Sequence, residues 1–96
     1  MCVGVRFGDL SSVALLDTGC RCSVIDHSLV SRLDESYFDL RQPSKASFRT
    51  ANGSKMRSLG SAKLKFALKD ANYKMHFNIL KGLSHPVILG VDFFQK

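Results

Sequence analysis

Proline is scarce, at 2 residues of 96, and no Gly/Ser-rich linker, like-charge block or internal repeat divides the chain. Those absences leave one domain over residues 1–96 as the expected organisation. No apolar run approaches the ~20 residues that span a bilayer. Residues 1–6 lack the long apolar core of a signal peptide. A soluble, cytoplasmic chain with no membrane partner is the default expectation. Cysteine is sparse too: Cys2, Cys20 and Cys22. An odd number does not make a disulfide framework, and Cys20 and Cys22, one residue apart, are badly placed to bridge each other. Zinc would need ligands drawn from these three and the scattered His27, His76 and His85, which show no paired spacing. No metal and no cofactor is expected.

Apolar residues make up 45% of the chain, enough for it to fold rather than stay disordered. A chain this short still buries only a modest core. The net charge of +6 permits nucleic-acid contact. The lysines between residues 63 and 74 alternate with other residues as on the wet face of a sheet, and Phe66, Tyr73 and Phe77 fall on the apolar side. Nucleic acid is therefore not the expected partner.

The dominant hydrophobic period is two. Val3, Val5 and Phe7 alternate up to Gly8-Asp9, a hairpin-turn dipeptide. Val13, Ala14, Leu15 and Leu16 form a continuous apolar run, as in a buried strand. Ser23-Val24-Ile25 reads as a short strand. Residues 26–33 read as a short helix capped by Asp26, with Leu29, Val30 and Leu33 on one face. Residues 34–44 are polar and read as a loop. Residues 46–51 read as a strand, Asn52-Gly53 as a tight turn, and a return strand begins near Lys55. Ala62, Leu64, Phe66 and Leu68 face one way and Lys63, Lys65 and Lys69 the other. A turn over residues 69–72 leads into Tyr73, Met75, Phe77 and Ile79, which repeat the alternation. Val87-Ile88-Leu89 is a second continuous apolar strand ended by Gly90, and Asp92-Phe93-Phe94 opens a short helix. The expected fold is mostly β with one or two short helices.

Asp17-Thr18-Gly19 directly follows the first apolar run. An ionised Asp at the end of a buried strand is costly unless it is hydrogen-bonded or shares a proton. Thr18 can donate a hydroxyl nearby, and Gly19 allows a tight turn and close ligand access. The plainer alternative is a strand-ending turn. The tripeptide arises by chance in roughly one chain of this length in fifty, so it is suggestive only until joined to the Asn52-Gly53 hairpin and to the closing apolar strand.

With those features joined, the pattern resembles the retropepsin family. Asp17-Thr18-Gly19, the segment Thr50-Ala51-Asn52-Gly53 and Ile88-Leu89-Gly90-Val91-Asp92-Phe93 look like proteases encoded by gypsy-type LTR retrotransposons and their domesticated relatives. The likeness runs roughly from Val3 to Phe94. It implies a small closed β-barrel-like acid-protease protomer. Asp17 would be the catalytic aspartate, Thr18 would lock two active-site loops together, and Gly19 would sit near the substrate backbone. Ala51, Asn52 and Gly53 would lie at or near the tip of a flap that closes over a peptide. Ile88, Leu89 and Gly90 would brace the active-site loop. With one Asp-Thr-Gly per chain, the second carboxylate would come from a second copy, in a C2 homodimer that cuts peptide or polyprotein substrates. Asp26 and Asp92 read as helix caps and are weaker candidates.

Two departures stand out. Cys20 occupies a position where the family usually has Ala or Ser, and a thiol there is expected to alter efficiency rather than remove the chemistry. The alternative of Cys20 as a thiol-protease nucleophile lacks an obviously placed His. Family members also usually continue through a further helix and often a last strand, so a domain truncated at its C-terminus, or a degenerate copy, is an expectation too. The competing functional reading is a weak or inactive retropepsin-like dimerisation or peptide-binding module.

Overall fold

The computed structural model describes residues 1–17, 19–33, 38–42, 47–49 and 55–94. The chain opens with a hairpin. Strands β1 (Cys2–Phe7) and β2 (Leu10–Leu16) pair antiparallel from Cys2↔Leu15 to Phe7↔Leu10. The turn between them passes through Gly8 at φ 65°, a backbone region that glycine adopts without steric cost. Strand β3 (Val24–Asp26) leads into a single helical turn, α1 (His27–Val30). Strand β4 (Phe38–Gln42) follows, then a two-stranded ribbon of β5 (Ser47–Arg49) and β6 (Lys55–Arg57). The long hairpin β7 (Gly60–Leu68) and β8 (Ala71–Leu80) comes next, then β9 (Val87–Leu89) and a last helical turn, α2 (Val91–Phe94).

Six of these strands close on themselves. The order is β1-β2-β9-β3-β8-β7, and β7 returns to β1 at Arg6↔Ala67, while β4 joins the outer side of β7. Closure removes the unpaired edges that an open sheet would expose. Most pairings are antiparallel, but β9 runs parallel to β2 and β3 runs parallel to β8. Three-residue β9 is thus wedged between β2 and β3, parallel to the first and antiparallel to the second. That position brings the end of β9 against the chain leaving β2.

The core comes from the two-residue period. Ala62, Leu64 and Phe66 of β7 and Met75, Phe77 and Ile79 of β8 are all buried. Phe66 packs 5.6 Å from Phe77 and 5.9 Å from Phe7, centroid to centroid. Such ring pairs are worth about 0.5–1.5 kcal/mol beyond the area they bury.

Several expectations need correction. Residues 34–44 are not simply a loop, because residues 38–42 form β4 against β7. The alternation of Phe38 and Leu40 was a strand signal too short to outweigh its polar neighbours. Strand β2 begins at Leu10, three residues before the apolar run, and that run is not buried throughout. Val13 is 46% exposed, while Ala14 is fully buried. The pleat sends alternate side chains to opposite faces, so Val13 points out whatever its hydrophobicity. Helix α1 is one turn, His27–Val30, rather than residues 26–33. Asp26 is its N-cap, and its carboxylate accepts from the Ser28 N–H at 3.0 Å. The β7–β8 turn has only two residues, Lys69 and Asp70, with Lys69 at φ 57°.

Candidate active site

The loop that follows β2 is built from backbone hydrogen bonds to β9. The Asp17 N–H donates to the Leu89 carbonyl at 3.0 Å, extending the β2–β9 ladder by one rung. The Cys20 N–H donates to the Asp17 carbonyl at 3.2 Å, closing a tight turn at Gly19. On the far side of that turn the Cys20 carbonyl accepts from the Val91 N–H at 2.8 Å. Leu89 and Val91 therefore grip the loop on its two legs, with Gly90 between them. A Cβ on Gly90 would overlap the Cys20 carbonyl oxygen and come within 3.0 Å of the Cys22 carbonyl. Only glycine lets β9 lie this close to the loop.

Within the loop, the Asp17 carboxylate accepts from the Gly19 N–H through Oδ1 at 2.9 Å. That bond orients the carboxyl group at the end of the strand. A side chain at Gly19 would put its Cβ 3.1 Å from the same oxygen. The thiol of Cys20 donates to the Cys22 carbonyl at 2.9 Å. Burial pushes the Cys20 thiol above its ordinary pKa, and the nearby charges of Asp17 and Asp92 act the same way. A thiol held neutral is a poor nucleophile, which argues against the thiol-protease alternative.

The return leg carries a polar lock that the sequence did not announce. Ser23 is fully buried. Its N–H donates to Asp92 Oδ2 at 3.0 Å, and its hydroxyl donates to Asp92 Oδ1 at 2.7 Å. The same Ser23 Oγ accepts from the Gly90 N–H at 3.1 Å. Asp92 is thus not the helix cap it was expected to be. It lies inside α2, and its carboxylate reaches back to the loop. Its partner is 69 residues away in the chain, so no local pattern could have paired them. Asp26, the other weaker candidate, serves a different join. Its Oδ1 accepts from the Gly82 and Leu83 N–H groups at 3.0 and 2.9 Å. Partial burial works against its charge, but these bonds and those from Ser28 outweigh it and hold the carboxyl below its ordinary pKa.

The site residues named from sequence fall into two groups. Asp17, Gly19, Cys20, Leu89 and Gly90 meet at the loop. Ile88 lies one residue earlier on β9, in register with Leu15 of β2 and Val24 of β3. Thr18, Ala51, Asn52 and Gly53 lie outside the described residues. The strands on either side of residues 50–54 pair antiparallel, Arg49↔Lys55. Among the described residues no group of His, Cys, Asp and Glu side chains is placed to hold a metal ion, and no helix is long and apolar enough to cross a membrane.

Comparisons with known proteins agree with this fold. A family model described as aspartyl protease matches residues 3–93. No curated protein matches. Among solved structures, EIAV protease complexed with the inhibitor HBY-793 superposes with a TM-score of 0.77 at 22% identity, covering 99% of this chain and 85% of that one. The retroviral protease-like domain of Ddi1 from Leishmania major gives 0.76 at 16% identity, covering 98% and 74%. Lpg0085 from Legionella pneumophila, a protein described as of unknown function, gives 0.56 at 15% identity, covering 95% and 80%. At these identities the structural likeness is one of fold.

Proposed function

We propose that this chain, which belongs to the retropepsin family of aspartyl proteases, is an aspartic endopeptidase that works as a homodimer with one Asp17 from each copy. The observation that carries the reading is the Asp17 loop: a carboxylate at the end of a barrel strand, oriented by the Gly19 amide and gripped by Leu89 and Val91. One carboxylate cannot both take a proton from water and give one to the scissile carbonyl. Two brought together across a two-fold axis can, because neighbouring like charges cannot both ionise and so share one proton. The ionised member activates a water. The protonated member donates to the carbonyl oxygen as the tetrahedral intermediate forms. Hydrolysis then proceeds by general acid–base catalysis with no covalent intermediate.

In this reading Thr18 links the two loops, Ala51, Asn52 and Gly53 close over the substrate, and Ile88, Leu89 and Gly90 brace the loop. Processing of a polyprotein is the proposed role, and the cytoplasm the proposed location. The test is a peptide-library cleavage assay with three inhibitor classes. A statine-type peptide, which mimics the tetrahedral intermediate, is expected to block cleavage, while a chelator and a thiol blocker leave it unchanged. Cleavage lost to a chelator or a thiol blocker would overturn the assignment. Complete absence of cleavage, with the statine peptide still bound, would favour the inactive peptide-binding module.

A further inference from the structure

The outward face of the β7–β8 hairpin carries cations in register. Lys65 lies directly across from Lys74, and Lys63 directly across from His76. One rung further on, Ala67 pairs with Asn72 on one side and with Arg6 of β1 on the other. Leu64, Phe66, Met75 and Phe77, which alternate with these residues, are buried in the barrel, so the whole set shares the outer face. Between Arg6, Lys65 and Lys74 lies an open groove of about 470 Å³, lined also by Asn72 and Tyr73. Asp9 and Asp70 stand in the two hairpin turns beside it. The two ends of β2 are roughly 20 Å apart, so this groove, which includes Gly8, is remote from Asp17.

We propose, against the expectation from the sequence, that this face binds the phosphodiester backbone of nucleic acid without sequence preference. The groups present are those that commonly contact phosphate and sugar: Arg, Lys, Asn and Tyr. Successive rungs on one face recur every ~6.7 Å, so the cations form a periodic stripe. A periodic stripe matches a polymer with one charge on every unit, whatever its sequence. An acidic peptide would need carboxylates at matching intervals. The two aromatic rings by the groove are already engaged with each other, Phe66 stacking on Tyr73 at 5.4 Å. Base stacking therefore adds little, and the binding is electrostatic.

The experiment is fluorescence anisotropy with a labelled oligouridylate over a salt series, on the whole chain. Three phosphate contacts on a single strand predict a slope of log K against log salt near −2. R6E/K65E is expected to weaken binding at least ~10-fold and to flatten the slope. R32E/K81E removes the same charge elsewhere and is expected to bind almost as wild type. If R6E/K65E does not fold, K65Q/K74Q is used, with a smaller loss in the same direction. Equal losses in the two charge-reversal variants would show only general attraction to a basic protein and would overturn the proposal. Displacement of the RNA by polyglutamate at equal charge concentration would also overturn it, in favour of an acidic peptide.

Discussion

The loop at residues 17–23 is held by directional hydrogen bonds, whereas the β7–β8 hairpin is held by buried side chains. In the loop, five hydrogen bonds to residues 89–92 fix the course of the backbone. In the hairpin, Phe66, Phe77 and Phe7 fill the barrel, and Tyr73 and Phe93 extend the cluster at 5.2 Å. Apolar packing is non-directional and tolerates small shifts. A carboxylate that must meet its twin across a dimer axis does not, because misplacement of about 1 Å can cost ~100-fold in rate. The comparison separates two kinds of residue: those that set how stable the barrel is and those that set where Asp17 points.

Substitutions can break that separation. The largest expected effect belongs to Asp17→Asn. Asn is nearly isosteric but cannot take a proton from water, so turnover should fall ~10²–10⁴-fold, while the melting temperature stays close to wild type. Phe77→Ala should do the opposite. Deleting a fully buried ring costs roughly 3–5 kcal/mol, seen as a lower denaturant midpoint, while the fraction that remains folded keeps its kcat.

Asp92→Ala tests the boundary between the two classes. It strands the N–H and hydroxyl of a buried serine, which costs about 1–3 kcal/mol in stability. It should also lower kcat at temperatures far below the melting point, because Ser23 then no longer holds Gly90 in place. A loss of stability with kcat intact would show that the polar lock is structural only, and the distinction drawn above would fail.

The smallest effect concerns acid. The folded-state pKa of Asp26 is lowered, below an unfolded value near 3.9. Its contribution to stability is therefore fully present above about pH 4 and is lost as pH falls through the lower folded value. Thermal melts from neutral pH to pH 2 should show a shallow acid limb that Asp26→Asn removes. The effect is modest because Asp26 is only partly buried, and water screens its charge.

The same division explains what could be read from the sequence. Period-two alternation in residues 62–68 and 73–79 announced the hairpin and its buried face, since each side chain's direction follows from its position alone. Asp17-Thr18-Gly19 and Val87-Ile88-Leu89-Gly90 were visible as motifs, and a backbone hydrogen bond joins Asp17 of the first to Leu89 of the second. Barrel closure at Arg6↔Ala67 was implied by the family likeness rather than by any local signal. Strand β4 was hidden because three of its five residues are polar and it owes its conformation to pairing with β7. Asp92 was misread because an acidic residue at a helix start is the usual sign of a cap, and only the fold brings Ser23 to it.

The most direct test of the central claim, that each copy contributes one Asp17, is a mixing experiment. Wild-type chain and Asp17→Asn chain are combined in equal amounts at fixed total concentration, allowed to exchange, and assayed for peptide cleavage. Random pairing leaves about a quarter of the dimers with two aspartates, so activity should fall to about a quarter of the all-wild-type value. Activity at about a half would mean that each chain works alone, and would contradict the account.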